Sequence, residues 1–322
     1  MSPSVCFADS GFVITTCLSE GVTASVYKAN RVQDGLPVVL KVLDAPCSSS
    51  SSEHVHNVTD TNGNSFMPRE LLILQKLEHI SGCVRVLDFV ENSVSQKWTI
   101  VFEDLESNGF INLANEVSKA GFQISELTVA WIMRELIKVV SEVHSAGILH
   151  CDLKLDNVFV DFKHEAVKLI DFNLSTYISE SHAEPLSGFT AEYAPPEVLI
   201  QRKTWSVSGE VWSLGCIAFV LLCRRFPFKN PLMAAFSSPA YPPCSAESGS
   251  QCFSLRPSSK LFHSYSFPSF NLPQHSMNGS PDKLTLSHKA KDFLVSCLCR
   301  EADQRPSLTK LLEHPFLRSR TV

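Results

Sequence analysis

The chain has 322 residues, 44% hydrophobic and 19% charged, which excludes a disordered chain and allows one large domain or two smaller ones with a sizeable core. A formal net charge of −5 argues against a nucleic-acid partner, which needs a basic surface, and agrees in sign with basic partners. Eleven scattered cysteines without a CxxC pair, behind an N-terminus lacking a secretory signal, read as reduced thiols rather than disulfides or zinc ligands, and predict a cytoplasmic or nuclear protein.

Residues 12–43 alternate and are rich in β-branched side chains, with a break at 19–21 and a turn at Asp34-Gly35, so they predict three strands. Residues 46–66, with the serine run Ser48–Ser52, predict a loop. Glu70–Leu77 has helical apolar spacing, and Val84–Val90 and Trp98–Phe102 predict two further strands. Ser125 predicts a helix N-cap, after which Leu127, Ala130, Trp131, Met133, Leu136, Ile137, Val140 and Val143 fall on one face. Short strands bracket residues 150–172. Val211–Cys223 is apolar all round, too short for a bilayer and suited to a core helix, so no membrane partner is expected. Residues 230–283 are rich in Ser, Pro and Phe and lack periodicity; they predict a disordered insertion, after which Leu286–Leu312 returns to helix. The chain thus divides into a small β-rich half, 12–104, and a larger helical half, 105–322, joined near 103–106. A cleft between them is the expected ligand site, and a monomer is expected.

The strongest chemical signal is His150-Cys151-Asp152-Leu153-Lys154-Leu155-Asp156-Asn157. Asp171-Phe172-Asn173 follows, then Tyr193-Ala194-Pro195-Pro196-Glu197 and Glu210-Val211-Trp212-Ser213-Leu214-Gly215. Upstream stand Lys41, within Val38-Val39-Leu40-Lys41-Val42, and Glu70. One piece alone is weak, but together and in this order they resemble the protein-kinase signature. The resemblance implies an α+β bilobal protein-kinase fold that binds ATP and Mg²⁺ between its lobes and phosphorylates serine or threonine on protein substrates.

Roles follow from the resemblance and from what phosphoryl transfer requires. Lys41, held by Glu70, is implied to reach the α/β-phosphates. Asp171 and Asn157 would offer Mg²⁺ a carboxylate and an amide oxygen. Asp152 would orient the attacking hydroxyl as its base, and Lys154 would neutralise charge on the transferred group. Gly21 and Val26 of the glycine-rich segment, with Glu103 and Leu105 of the linker, complete the ATP-binding set. Asp156 and Thr190 form the substrate set, and Lys154 with Thr190 points to serine/threonine rather than tyrosine. The family also implies an internal Glu197–Arg305 pair and a structural His150. Plainer readings stand beside these: Lys41 as a strand-edge lysine, Glu70 as a solvated helix carboxylate, Asp156 as helix-start charge. A lysine inside Val-Val-Leu-Lys-Val is costly to bury without a role.

Within the kinases, residues 31–38, 62–70 and 81–89, with Pro195-Pro196-Glu197, are similar to the Pim family. There are departures. Ser19-Glu20-Gly21-Val22-Thr23-Ala24 keeps one glycine, which predicts weakened nucleotide binding or turnover. Asn173 replaces the glycine of the Asp-Phe-Gly triplet, the mildest available loss because Asn tolerates left-handed backbone better than other non-glycine residues. Cys151 replaces an arginine that binds activation-loop phosphate, so activity without that phosphate is expected. Leu105 stands where the Pim linker has proline, which returns a backbone N–H for adenine. The stretch Ser107–Leu113 lacks the family's acidic residue, so a basic substrate preference is expected to rest on Asp156. The rival expectation is a pseudokinase acting as a nucleotide-binding or scaffolding module. A small-molecule phosphotransferase is disfavoured by the Tyr193–Glu197 segment, a peptide platform in the family.

Overall fold

A computed structural model describes residues 11–21, 24–43, 67–92, 97–180, 188–235, 237, 239, 241 and 285–318. The chain divides into two compact units, Met1–Ile111 with Phe159–Ser175, and Asn112–Val158 with Thr176–Val322.

The first unit is built on strands β1 (Phe12–Glu20), β2 (Ala24–Arg31), β3 (Pro37–Leu43), β4 (Val86–Asn92) and β5 (Lys97–Glu103), with helix α1 (Arg69–Lys76) between β3 and β4. The strands form one antiparallel sheet in the order β1-β2-β3-β5-β4. Side chains alternate across a strand, so Val38, Leu40 and Val42 share one face of β3 and Lys41 takes the other. Phe12, Ala29, Val38, Leu40 and Val101 cluster as a buried core, with Tyr27 and Leu87 packed against it. The Asp34-Gly35 turn is fixed by Arg31, whose guanidinium makes two bonds to the Asp34 carboxylate, and by Gly35 at φ 70°, a left-handed conformation open to glycine. On α1, Glu70, Leu71, Ile73 and Leu74 are buried. A two-residue strand β6 (Ile111–Asn112) ends this stretch of chain.

The second unit begins with α2 (Leu113–Ser118) and α3 (Glu126–Ser145). Ser125 caps α3 as expected, its side chain accepting from the Thr128 N–H at 3.0 Å. Leu127, expected on the buried face, is 41% exposed, whereas Val129, Ile132 and Val139 are buried. Helix α3 packs on both α5 and α7, so its buried arc is wider than one stripe, and Leu127 in its first turn lies outside that arc. Strand β7 (Ile148–Leu149) pairs with β10 (Thr176–Tyr177), while β8 (Val158–Asp161) and β9 (Ala166–Leu169) carry the chain through the first unit.

Helix α4 (Pro196–Leu199) leads to α5 (Val207–Cys223), in which every residue from Gly209 to Cys223 is buried. Helices α6 (His288–Cys297) and α7 (Leu308–Leu312) complete the unit. A Cβ at Gly215 would meet the Cys297 Cβ at 2.6 Å, so glycine permits the close approach of α5 and α6. Among the described residues no helix is long and apolar enough to cross a membrane, and the described cysteines are free thiols.

The expected insertion is ordered at its start. Pro231–Ala235 forms a 3-10 turn against α4, and the Tyr241 ring lies 6.0 Å from that of Phe219 on α5. Most of the rest of it, and the loop expected at 46–66, lie outside the described residues.

Candidate active site

The first unit assembles a buried ion triad. Lys41 Nζ lies 2.8 Å from Glu70 Oε1, 2.7 Å from Glu70 Oε2 and 2.8 Å from Asp171 Oδ1. The β-sheet face opposite the apolar core supplies the lysine, the first turn of α1 supplies Glu70, and the chain leaving β9 supplies Asp171. Burial alone would push the Lys41 ammonium down, but the Glu70 and Asp171 carboxylates outweigh it and hold the group above its ordinary range. Burial, with Asp171 adding, pushes Glu70 up against the pull of Lys41. Glu70 is therefore no solvated helix carboxylate, and Lys41 no edge lysine.

The Gly21 N–H donates to the Ala24 carbonyl at 2.9 Å, and Val26 stands opposite Lys41 in the β2–β3 register. Ser19 lies near the end of β1 and Ala24 begins β2, and neither has positive φ. The backbone penalty expected from the missing glycines is therefore absent at these two positions. The same correction applies at Asn173: the left-handed residue of its triplet is Asp171, at φ 63°, and Asn173 needs no such conformation.

In the linker, the Asp104 carboxylate accepts from the Glu106 and Ser107 N–H groups and from the Ser107 hydroxyl. Leu105 is buried, and its N–H has no partner among the described residues. The Glu103 carboxylate is engaged by the Arg85 N–H and by Lys168. Glu106 supplies an acid next to the neutral stretch, paired with Lys28 at 2.5 Å.

The second unit holds the other residues. Asp152 is 5% exposed. Its Oδ1 accepts from the Thr190 N–H at 3.1 Å, and Lys154 Nζ lies 2.5 Å from its Oδ2 and 3.0 Å from the Thr190 hydroxyl. The Asn157 Nδ2 donates to the Asp152 carbonyl at 2.9 Å, which leaves the amide oxygen free to face a cation. Asp156 is exposed in the 3-10 turn Leu155–Asn157, its carbonyl accepting from Asn112 Nδ2. Among the described residues no cluster of three or more His, Cys, Asp or Glu side chains could hold a metal. A magnesium ion that arrives on phosphate needs only one or two protein oxygens, and Asp171 and Asn157 offer donors of that chemistry.

Sequence reasoning left Glu210 without a role. Its fully buried carboxylate accepts the Cys151 N–H at 2.7 Å and meets His144 Nε2 at 2.5 Å. Burial opposes its ionisation, yet the bond to His144, the nearby His144 and His150 rings and the Cys151 N–H together bring it below the usual carboxylate range. Cys151 itself has φ 66°, a costly conformation for a residue with a side chain, and Glu210 holds it there beside Asp152. The signal was legible: a lone carboxylate in an otherwise apolar helix needs a partner.

Glu197 and Arg305 form the expected pair, with Nη1–Oε1 at 2.6 Å and Nη2–Oε2 at 2.8 Å. Arg305 also donates to the carbonyls of Cys299, Ser208 and Arg300, and its guanidinium lies over the Trp212 ring at 5.0 Å.

The sequence matches the model of the protein kinase domain over residues 12–317. It is 26% identical to serine/threonine-protein kinase pim-2 of Danio rerio, over 97% of this chain and 86% of the relative. It is 26% identical to serine/threonine-protein kinase prk-2 of Caenorhabditis elegans over 95% of this chain and 58% of the relative, and 27% identical to cyclin-dependent kinase C-2 C of Arabidopsis thaliana over 94% and 44%. The chain thus spans less than two thirds of the length of these last two. The domain match covers nearly the whole chain, with a β-rich first region and a helical second, and the chain belongs to the protein kinase domain family with its bilobal fold: it is a protein kinase.

Proposed function

We propose that the chain transfers the γ-phosphoryl group of ATP to serine or threonine hydroxyls of proteins, with Mg²⁺ on the nucleotide. The observation that carries the reading is the Asp152–Thr190–Lys154 arrangement: a buried carboxylate with a lysine and a threonine fixed around it. The substrate hydroxyl oxygen bonds to the γ-phosphorus as the bond from phosphorus to the β–γ bridging oxygen breaks, ADP leaves, and the hydroxyl proton passes to the Asp152 carboxylate. Lys154, held between Asp152 and Thr190, would neutralise charge on the transferred group. Lys41, fixed by Glu70, holds phosphate; the Leu105 N–H offers adenine a donor. Bound Mg²⁺ would neutralise phosphate charge, with the Asp171 carboxylate and Asn157 amide oxygen to hold it. The serine/threonine relatives support this reading. The scaffold alternative gains no support, because the charged residues are present and paired and the Asn173 and Ser19 replacements carry no left-handed strain.

The Pim-like part of the reading concerns specificity. Exposed Asp156 offers a carboxylate that can accept two N–H bonds from a substrate arginine. Radiolabelled transfer to a degenerate peptide library tests both parts. Label on serine or threonine, with selection for arginine upstream, is expected. Label on tyrosine alone contradicts the reaction, and indifference to arginine at every upstream position contradicts the role of Asp156.

A further inference from the structure

Glu103 ends β5 with a side chain only 8% exposed. Its Oε1 accepts the Arg85 N–H at 2.9 Å and is ion-paired with Lys168 Nζ of β9, whose side chain is 16% exposed. The same ammonium reaches the Cys83 carbonyl at 3.4 Å. Backbone bonds run around the pair: Glu103 N–H to the Arg85 carbonyl at 3.1 Å, Val84 N–H to the Leu169 carbonyl at 2.9 Å, and Leu169 N–H to the Gly82 carbonyl at 2.8 Å. The ion pair therefore fastens three pieces of one unit: the end of β5, the segment 82–85 and β9. From β5 the chain runs directly into Asp104 and Leu105. From β9 it runs through Ile170 into Asp171, whose carboxylate lies on Lys41.

The pair also borders a cavity of about 600 Å³, whose other walls include Leu74 and Leu77 beside α1 and Val86 of β4. Close packing would hold Glu103 in place by shape. Beside a cavity, shape does not, and charge has to. Without the ammonium the buried carboxylate would keep a single described neutral donor and would turn toward water, taking the last residue of β5 with it.

We propose that Lys168 is a positioning residue for the nucleotide: through Glu103 it fixes the linker N–H of Leu105 and the carboxylate of Asp171 relative to Lys41. The proposal rests on the ATP-binding reading above. The test is nucleotide affinity by titration, together with steady-state kinetics, on the whole chain carrying Lys168→Met, Lys168→Arg, or the double change Glu103→Leu with Lys168→Leu. Lys168→Met raises the Kd for nucleotide and the KM for ATP by about tenfold, on the scale of a lost alignment, and leaves the peptide KM unchanged. Lys168→Arg restores affinity. The double variant removes the orphaned charge and recovers the thermal midpoint, but not the KM for ATP. A merely structural role would return KM and midpoint together, and that result overturns the proposal, as does an unchanged KM in Lys168→Met. If Lys168→Met fails to fold, the double variant decides alone. A wild-type chain that binds no nucleotide overturns the ATP reading and this proposal with it; a wild type that binds while the folded variants bind equally well overturns this proposal only.

Discussion

The Thr190 N–H donates to Asp152 Oδ1 at 3.1 Å, so the segment that precedes Tyr193 is tied to the buried carboxylate by a direct backbone bond. Lys154 adds a second tie through the Thr190 hydroxyl. Neither tie involves phosphate, and the neutral, fully buried Cys151 provides no cation to bind one. Four hydroxyls in this segment could carry a phosphate, Thr176, Ser179, Ser181 and Ser187: Thr176 is buried in β10, Ser179 is exposed in the turn Ile178–Glu180, and Ser181 and Ser187 lie outside the described residues. Phosphatase treatment is expected to leave phosphoryl transfer within about twofold, a fraction of a kcal/mol in barrier. A loss of about tenfold or more would mean that this segment is ordered by phosphorylation.

Replacing Lys41 by methionine removes the cation shared by Glu70 and Asp171. Two carboxylates then lose their common partner, one of them fully inside. Transfer should be abolished and nucleotide affinity should fall, and both are read by titration and a radiolabel assay. Full activity in Lys41→Met would show that another residue holds the phosphates.

Arg305→Ala leaves Glu197 charged in a site closed by the helices around it. The Arg305 side chain is 0% exposed, and the cost is about 3–5 kcal/mol, the range for breaking a buried pair. Thermal unfolding reads this directly, and an unchanged midpoint would contradict it.

Glu210 gives a pH dependence with a definite sign. Its carboxyl is held below its ordinary range, so the stability it contributes is present above the unfolded value, about 4.3, and fades as pH falls through the lower folded value. Glu210→Gln is expected to lower stability at pH 7 by about 1–3 kcal/mol, and to lower kcat because Cys151 loses its restraint. The gap between wild type and variant should narrow below about pH 4. A gap that stays constant or widens on acidification would contradict the assignment.

The residues that carry charge were largely legible in the sequence, because each is costly to bury without a partner. Lys41 within a β-branched run had to meet carboxylates, and it does. The five strands and α1 followed from period and turn residues, and Ser125 marked the start of α3. What escaped depended on neighbours distant in sequence. Leu127 fitted a single-stripe face, but packing on two sides moved the boundary. Asn173 was read as a left-handed position that Asn tolerates, because glycine stands there in relatives, whereas the left-handed residue is Asp171. Glu103 was named as part of the linker, and the pairing of its carboxylate with Lys168 is one that no local pattern encodes.

The central claim is that Asp152 acts on the hydroxyl and not on the nucleotide. Its most direct test pairs radiolabelled transfer to serine/threonine peptides with nucleotide titration, in wild type and in Asp152→Asn. The account predicts that the variant loses transfer by about 10²-fold or more, the scale of a lost general base, while its nucleotide affinity matches wild type. Equal transfer by both proteins, or a nucleotide affinity that falls in step with transfer, would contradict it.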